Sequence, residues 1–482
     1  MFVTDIMELL FAGAMLSLLA DLGAKRFGSR RPVAVGAIPL LSIIGALGLL
    51  LGNWRAYGAT PTNFQAVPYP LSSLYVADRF TLFVLFTALV IFGVVSLYSW
   101  SRLTPGDNAG PFYSLLLLLL CSIVGVVSAG DFIVLFLFWE AMSISAYGLV
   151  SFRKSAAISL EASLKYFVLS GMGSLLALYG IAVLYSSTGS ILLNATAGGV
   201  SGSGLALLGL VFILVGFGVE AAVFPLHTWL PDVYAAAPSP AAAAISGAVT
   251  GVGVFVLVKV LQPVIVAMPA AFTPEAQHLQ IALVALSFLT MTLGNFAGLA
   301  QTNLKRMLGY SSIAQTGYML AALSTLSVYG IVAVVFTIWN QGLLKSNFFM
   351  LAGGQDSTYE GTELEKLKGL GRTDRKLGFA FASSSLAMVG SPPFGLFWAE
   401  ILVVQSLLAA SSQMFFWLAV ALVLNIVVSI GYYYRIINGV VFGDAPEHEG
   451  KRSGWELSAP AFLLLLSLAT GLVPALLLGL IA

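Results

Sequence analysis

The chain has 482 residues, of which 59% are hydrophobic and only 9% charged, with a formal net charge of +1. That composition makes lipid the solvent for most of the protein; the net charge itself says nothing about partners, and no nucleic-acid partner is expected. A single cysteine, Cys121, excludes iron–sulfur ligation, disulfide frameworks and cysteine-based zinc sites within the chain.

Apolar runs of about 20 residues, the length that spans a bilayer, recur from end to end. About fourteen spans are predicted, near 3–23, 33–53, 80–100, 112–129, 131–151, 161–187, 205–225, 240–262, 279–299, 307–323, 327–352, 378–408, 414–438 and 458–481. They are continuously apolar rather than alternating, which predicts helices and not barrel strands. The first is not read as a signal peptide, because no small-residue cleavage site follows and its basic residues come after it. The longest polar connection, Gly353 to Lys376, leaves no room for a soluble domain. The fold class is therefore an all-α polytopic membrane protein, one membrane domain over 1–482.

Charge placement adds an orientation. If the loop with Lys25, Arg26, Arg30 and Arg31 is cytoplasmic, alternate loops put Arg102, Arg153, Lys154, Lys305, Arg306, Lys366, Lys368, Arg372, Arg375, Lys376, Arg435, Lys451 and Arg452 on the same side. Only Arg55 and Arg79 fall opposite. This positive-inside bias predicts a multi-pass protein of a prokaryotic plasma membrane with both termini on the outer face.

Ionisable residues inside the spans are the candidate site, because a charge at the bilayer centre costs roughly 2.5–3.5 kcal/mol on insertion scales. In chain order, Glu140 follows Trp139 deep in the fifth span and reads as a proton-binding carboxylate; the plain structural reading is a glutamate neutralised by helix-to-helix hydrogen bonds. Glu161 and Lys165 are four apart at the start of the sixth, either a half-buried relay pair with Lys165 the deeper or a solvated end turn. Glu220 sits in the seventh span, and Pro225 then breaks the helix. His227 just past the break reads as a proton gate or as a structural hydrogen-bonder, and Asp232 as a cap of the polar turn that follows. Lys259 reads equally as a site residue or as an anchor snorkelling from the outer end of the eighth span. Lys345 is the most buried-looking base, able to lose and regain a proton. In the twelfth span, Pro392 and Pro393 break the helix ahead of Glu400.

The two glutamate-and-proline segments lie five helices apart, so the two copies run in opposite directions, the mark of an inverted repeat. Three helices in 1–110 would then precede a first five-helix unit over 111–262, with an inverted second unit over 279–438 and a last helix at 458–481. Paired interruptions of this kind point to a transport site; the plain alternative is that each proline kinks a packed helix.

Several segments carry a family resemblance. Trp139-Glu140, Glu161-Ala-Ser-Leu-Lys165-Tyr-Phe, and Phe224-Pro-Leu-His-Thr-Trp-Leu-Pro-Asp-Val-Tyr234 through Ala237-Pro-Ser-Pro240 resemble the antiporter-like subunits of respiratory complex I, the Mrp antiporters and the energy-converting hydrogenases. Gln301 through Tyr318 and Tyr432-Tyr-Tyr-Arg435-Ile-Ile look most like the N-type subunit of NADH-quinone oxidoreductase, while Gly390 through Glu400 looks more like the hydrogenase and M-type branches. The resemblance covers essentially the whole chain and implies fourteen helices, with the seventh and twelfth broken. It also exposes departures: Glu220 stands where the family usually has a lysine facing the glutamate equivalent to Glu140, Gly251 where a second lysine or histidine is usual, and Gln341 where a histidine is frequent. Two carboxylates brought together share a proton rather than form an ion pair.

The function this implies is proton translocation in a redox-driven membrane complex, running from Glu140 through Glu220 towards Lys345 and Glu400, with Lys165, His227 and Lys259 as further members. No GxGxxG and no P-loop lysine motif is present, so this chain is read as free of redox cofactors, with any quinone, flavin and iron–sulfur centres on partner subunits. The expected partners are other membrane subunits, including further antiporter-like ones, the lipid bilayer and H⁺, or Na⁺. Two alternatives stand: an Mrp-type Na⁺/H⁺ antiporter subunit, and a structural subunit that does not pump.

Overall fold

The computed structural model describes residues 2–26, 32–58, 74–103, 108–152, 157–195, 204–267, 274–353, 362–444 and 454–481. Of the basic loop residues, Arg30, Arg31, Arg153, Lys154, Lys451 and Arg452 lie outside these segments, as do residues 354–361 of the polar connection that follows Gly353. Among the described residues, ten helices are long and apolar enough to cross a membrane, or eleven if the bent pair Leu457–Leu472 and Pro474–Ile481 is one span. The chain is an all-α polytopic membrane protein.

Besides the bent last span, three predicted spans differ from simple crossings. The seventh is a short helix, Gly204–Gly218, that ends before Glu220. The twelfth is two helices, Arg375–Met388 and Gly395–Ala409. The tenth, Leu304–Ser324, is long enough but rich in serine, threonine and glutamine, and nearly all of it is buried in protein. A polar helix belongs in lipid only where other helices cover it.

The chain divides into two compact units, Met1–Phe217 with Leu480–Ala482, and Gly218–Gly479. In the first, Ala109–Ser128 is the buried centre, against which Phe2–Arg26, Arg79–Arg102 and Phe132–Val150 pack. Short antiparallel pairings tie its loops, Val76 N to Ser128 O at 2.7 Å and Phe132 N to Ile191 O at 3.0 Å. Leu164, Phe167, Met172 and Leu175 of Ala157–Thr188 face outward, as an apolar medium permits.

In the second unit, Leu304–Ser324, Val328–Ala352 and a helix over 239–267 form the buried interior. The last of these widens into a π turn at Ile245–Val249. Polar caps set where helices begin. Asp131 accepts from Ile133 N and Val134 N at 2.9 Å, Asn303 from Arg306 N at 3.1 Å and Ser327 from Gly330 N at 3.0 Å. Each cap satisfies amide donors that a membrane interior leaves without water.

Candidate functional site

The first helix break is a turn over residues 219–228, with Glu220 inside it rather than in the helix that precedes it. Pro225 withholds an amide donor and Ala222 takes a left-handed conformation (φ 55°), so the helical ladder stops and its groups find other partners. Val223 N donates to Gly218 O at 3.0 Å, the Trp229 indole to Val219 O at 2.9 Å, and Phe224 N to the Thr290 hydroxyl at 3.2 Å. Glu220 is fully buried. Gly253 makes the close packing possible: a Cβ there would lie 2.7 Å from Ala221 N and 3.0 Å from the Glu220 carbonyl carbon. Gly251, on another side of the same helix, faces Ile338 instead.

The second break is built similarly. Gly390 turns the chain with φ 73°, Ser391 Oγ donates to Leu386 O at 2.8 Å, and the Trp398 indole donates to Gly471 O at 2.9 Å. The peptide bonds before Pro225 and Pro393 are both cis. Pro392 and Pro393 sit in the turn. Beyond them, the Glu400 carboxylate reaches back against the Gly390 backbone and is hydrogen-bonded to the Gln315 side chain.

Lys345 is completely buried, and its ammonium nitrogen donates to Leu308 O at 2.9 Å. Leu308 and Gln315 stand seven residues apart on one helix, about 10 Å along its axis, so that helix carries the partners of both Lys345 and Glu400. No ion pair joins these two groups among the described residues. Gaining or losing a proton at either therefore breaks no salt bridge between them.

Glu140, in the first unit, is half-buried and accepts a short hydrogen bond from Ser174 Oγ. Lys165 and Glu161 form an exposed pair at 2.8 Å, their side chains 48% and 67% accessible, which fits the solvated-turn reading of the isolated chain. His227 is half-buried, with its ring beside Phe224 and Nδ1 buried without a hydrogen bond. Two expectations change. Lys259 is 2% exposed, so it is an interior group and not an interfacial anchor. Asp232 lies inside the helix Trp229–Ala236 and pairs with Arg306 at 2.8 Å instead of capping a turn. Cap position is set by where the helix starts, and here Trp229 begins it.

Other polar groups at this depth were not singled out from sequence. Asn295 donates to Tyr318 Oη and Asn425 Oδ1 and accepts from Tyr432 Oη, each at 3.0 Å. The available signal was the density of Ser311, Ser312, Gln315 and Thr316 in one span, too polar to face lipid. No group of three or more His, Cys, Asp or Glu side chains able to hold a metal occurs among the described residues.

A polytopic helix bundle with two proline-broken helices and titratable groups buried beside them has the build of an ion-translocating membrane subunit. Residues 129–427 match the transmembrane family described as NADH:quinone oxidoreductase/Mrp antiporter, and the chain belongs to that family. It is 31% identical to NADH-quinone oxidoreductase subunit N of Trichlorobacter lovleyi, over 92% of this chain and 89% of that one. Among solved structures it is similar to a chain of respiratory complex I from Thermus thermophilus (29% identity, TM-score 0.78, 98% of each chain covered). It is also similar to a chain of the membrane-bound sulfane sulfur reductase, an archaeal respiratory membrane complex (27% identity, TM-score 0.86, 99% of this chain and 96% of that one).

Proposed function

We propose that this chain moves protons across a prokaryotic membrane as the antiporter-like subunit of a redox-driven complex. Electron transfer belongs to other chains. Glu140 in the first unit, and Glu220, Lys345 and Glu400 in the second, are the titrating groups, with Lys165, His227 and Lys259 as further members of the path. The observation that carries this reading is Lys345, fully buried mid-helix and held by a backbone carbonyl rather than a carboxylate. Such a group is expensive in a membrane and has no evident folding role.

The fourteen-helix count, with the seventh and twelfth helices broken, belongs to the same reading. A helix or broken helix pair at each of the predicted places supports it. So does the likeness of the two breaks, each a turn that contains proline, with a buried glutamate and a tryptophan donating to a backbone carbonyl in or beside it. We assign three leading helices to 1–110, inverted five-helix units to 111–262 and 279–438, and a closing helix to 458–481. The bias of Lys and Arg supports a cytoplasmic face at Lys25, Arg102, Lys305, Arg306 and Lys376, and both chain ends outside.

The test is proton pumping by the assembled complex in inverted membrane vesicles, wild type against Glu140→Gln and Glu220→Gln, with electron transfer recorded in the same vesicles. The expected result is reduced pumping with the complex still assembled. Unchanged pumping and electron transfer in both variants would make the chain a scaffold.

A further inference from the structure

The second unit holds a row of buried hydroxyls beside both Lys345 and the turn that carries Glu220. Tyr234 Oη and Thr250 Oγ1 are 2.7 Å apart, and Tyr234 is also hydrogen-bonded to the Ser312 hydroxyl. Ser312 Oγ donates to Leu308 O at 3.1 Å, the same carbonyl that accepts from Lys345 Nζ at 2.9 Å. All three hydroxyl residues are at most 1% exposed. At the other end, Thr250 begins the helical turn that rests through Gly253 on the backbone of Glu220 and Ala221.

The backbone is shaped to bring these groups together. A buried helical threonine commonly bonds the carbonyl four residues back; Thr250 instead bonds across to Tyr234. The π turn Ile245–Val249 ends immediately before it. One extra residue in a turn rotates everything that follows by roughly 100° relative to an unbroken α-helix, which aims Thr250 at the Trp229–Ala236 helix. π turns recur at functional sites.

We infer that Tyr234, Thr250 and Ser312 form a hydroxyl bridge through which a proton passes between Lys345 and Glu220. The inference rests on the proposed translocating role. A hydroxyl both donates and accepts, so a row of them can pass a proton by each oxygen taking one and releasing another. Once the Ser312 hydroxyl turns from Leu308 O towards Tyr234 Oη, its oxygen takes a proton from the Lys345 ammonium held on the same carbonyl, as the Ser312 proton moves to the Tyr234 oxygen. The Tyr234 proton then leaves towards the Glu220 carboxylate. Thr250 orients the Tyr234 hydroxyl and is a positioning residue. Rotation of the hydroxyls restores the starting arrangement, leaving the amine neutral and the carboxyl protonated.

The experiment is proton pumping by the assembled complex in inverted vesicles, in H₂O and D₂O, for Tyr234→Phe, Thr250→Val and Thr250→Ser. Glu220→Gln and Lys345→Met are measured alongside, and assembly and electron transfer are checked for each. Tyr234→Phe preserves the ring packing and should slow pumping at least about fivefold, the rate equivalent of one lost hydrogen bond. Thr250→Val should slow it and enlarge the solvent isotope effect, and Thr250→Ser, which keeps the hydroxyl, should recover most of that loss. If Tyr234→Phe fails to assemble, the Thr250 pair decides. The bridge is overturned if Tyr234→Phe and Thr250→Val pump normally while Glu220→Gln and Lys345→Met do not, an outcome that leaves the translocating role intact. If Glu220→Gln and Lys345→Met also pump normally, that role fails and the bridge falls with it.

Discussion

Ser174 is a partner of Glu140 that only the fold reveals. Its hydroxyl donates to Glu140 across two helices, and the sequence context of Glu140, a run of phenylalanine, leucine and isoleucine, gives no hint of that partner. A hydrogen bond of this kind contributes about 1 kcal/mol, so Ser174→Ala should slow pumping by about fivefold or less while assembly is retained. A loss as large as that of Glu140→Gln would mean that the serine carries protons itself. Asp232 and Arg306 make the opposite case. The pair is partly open to solvent, with side chains 19% and 36% accessible, and pairs of this kind contribute about 1 kcal/mol at most. Asp232→Asn should lower the melting temperature of the purified complex by about one degree or less, on the order of 1 kcal/mol spread over a chain of this length, and leave the pumping rate unchanged. A pumping defect there would place the pair on the path.

At the scale of elements, the breaks matter more than the helices. Gly253 lets one helix settle on the turn that holds Glu220, and 2.7 Å to Ala221 N leaves no space for a side chain. Gly253→Leu should prevent assembly, because backbone cannot yield as a side chain can. Gly251→Ala meets only Ile338 Cγ2, at 3.0 Å, and should cost about 1–3 kcal/mol at most. Immunodetection of the assembled complex in membranes separates the two; equal levels would show that Gly253 is not a packing constraint. The helices themselves were legible from sequence, since continuously apolar runs of spanning length are at home in a bilayer and costly in water. The prolines marked both breaks, and Glu140, Glu220, Lys345 and Glu400 stood out because charge in an apolar run is costly. What sequence could not show was which neighbour each polar group meets. Lys259 reads equally as a site residue or an anchor by its distance along the span, and only the covering helices, which bury it, separate the two. The helix before Glu220 stops at Gly218, several residues ahead of Pro225, because the turn finds its hydrogen bonds in Trp229 and Thr290. Such partners come from distant elements and leave no local signal.

At the scale of the molecule, orientation and transport are separate claims. If the basic loops are cytoplasmic, a lone cysteine introduced as Lys25→Cys or Lys376→Cys, with Cys121→Ser, should react with a membrane-impermeant thiol reagent in inverted vesicles and not in intact cells. Labelling in intact cells would reverse the topology. On the proposed reading, transport depends on buried groups that change protonation, and Lys345 is the plainest candidate because it is fully buried and bonded to a carbonyl. The most direct measurement is the number of protons moved per electron pair by the assembled complex in inverted vesicles, wild type against Lys345→Met. A lower ratio at undiminished assembly is the predicted result. A ratio equal to wild type, with normal electron transfer, would contradict the claim that this chain conducts protons.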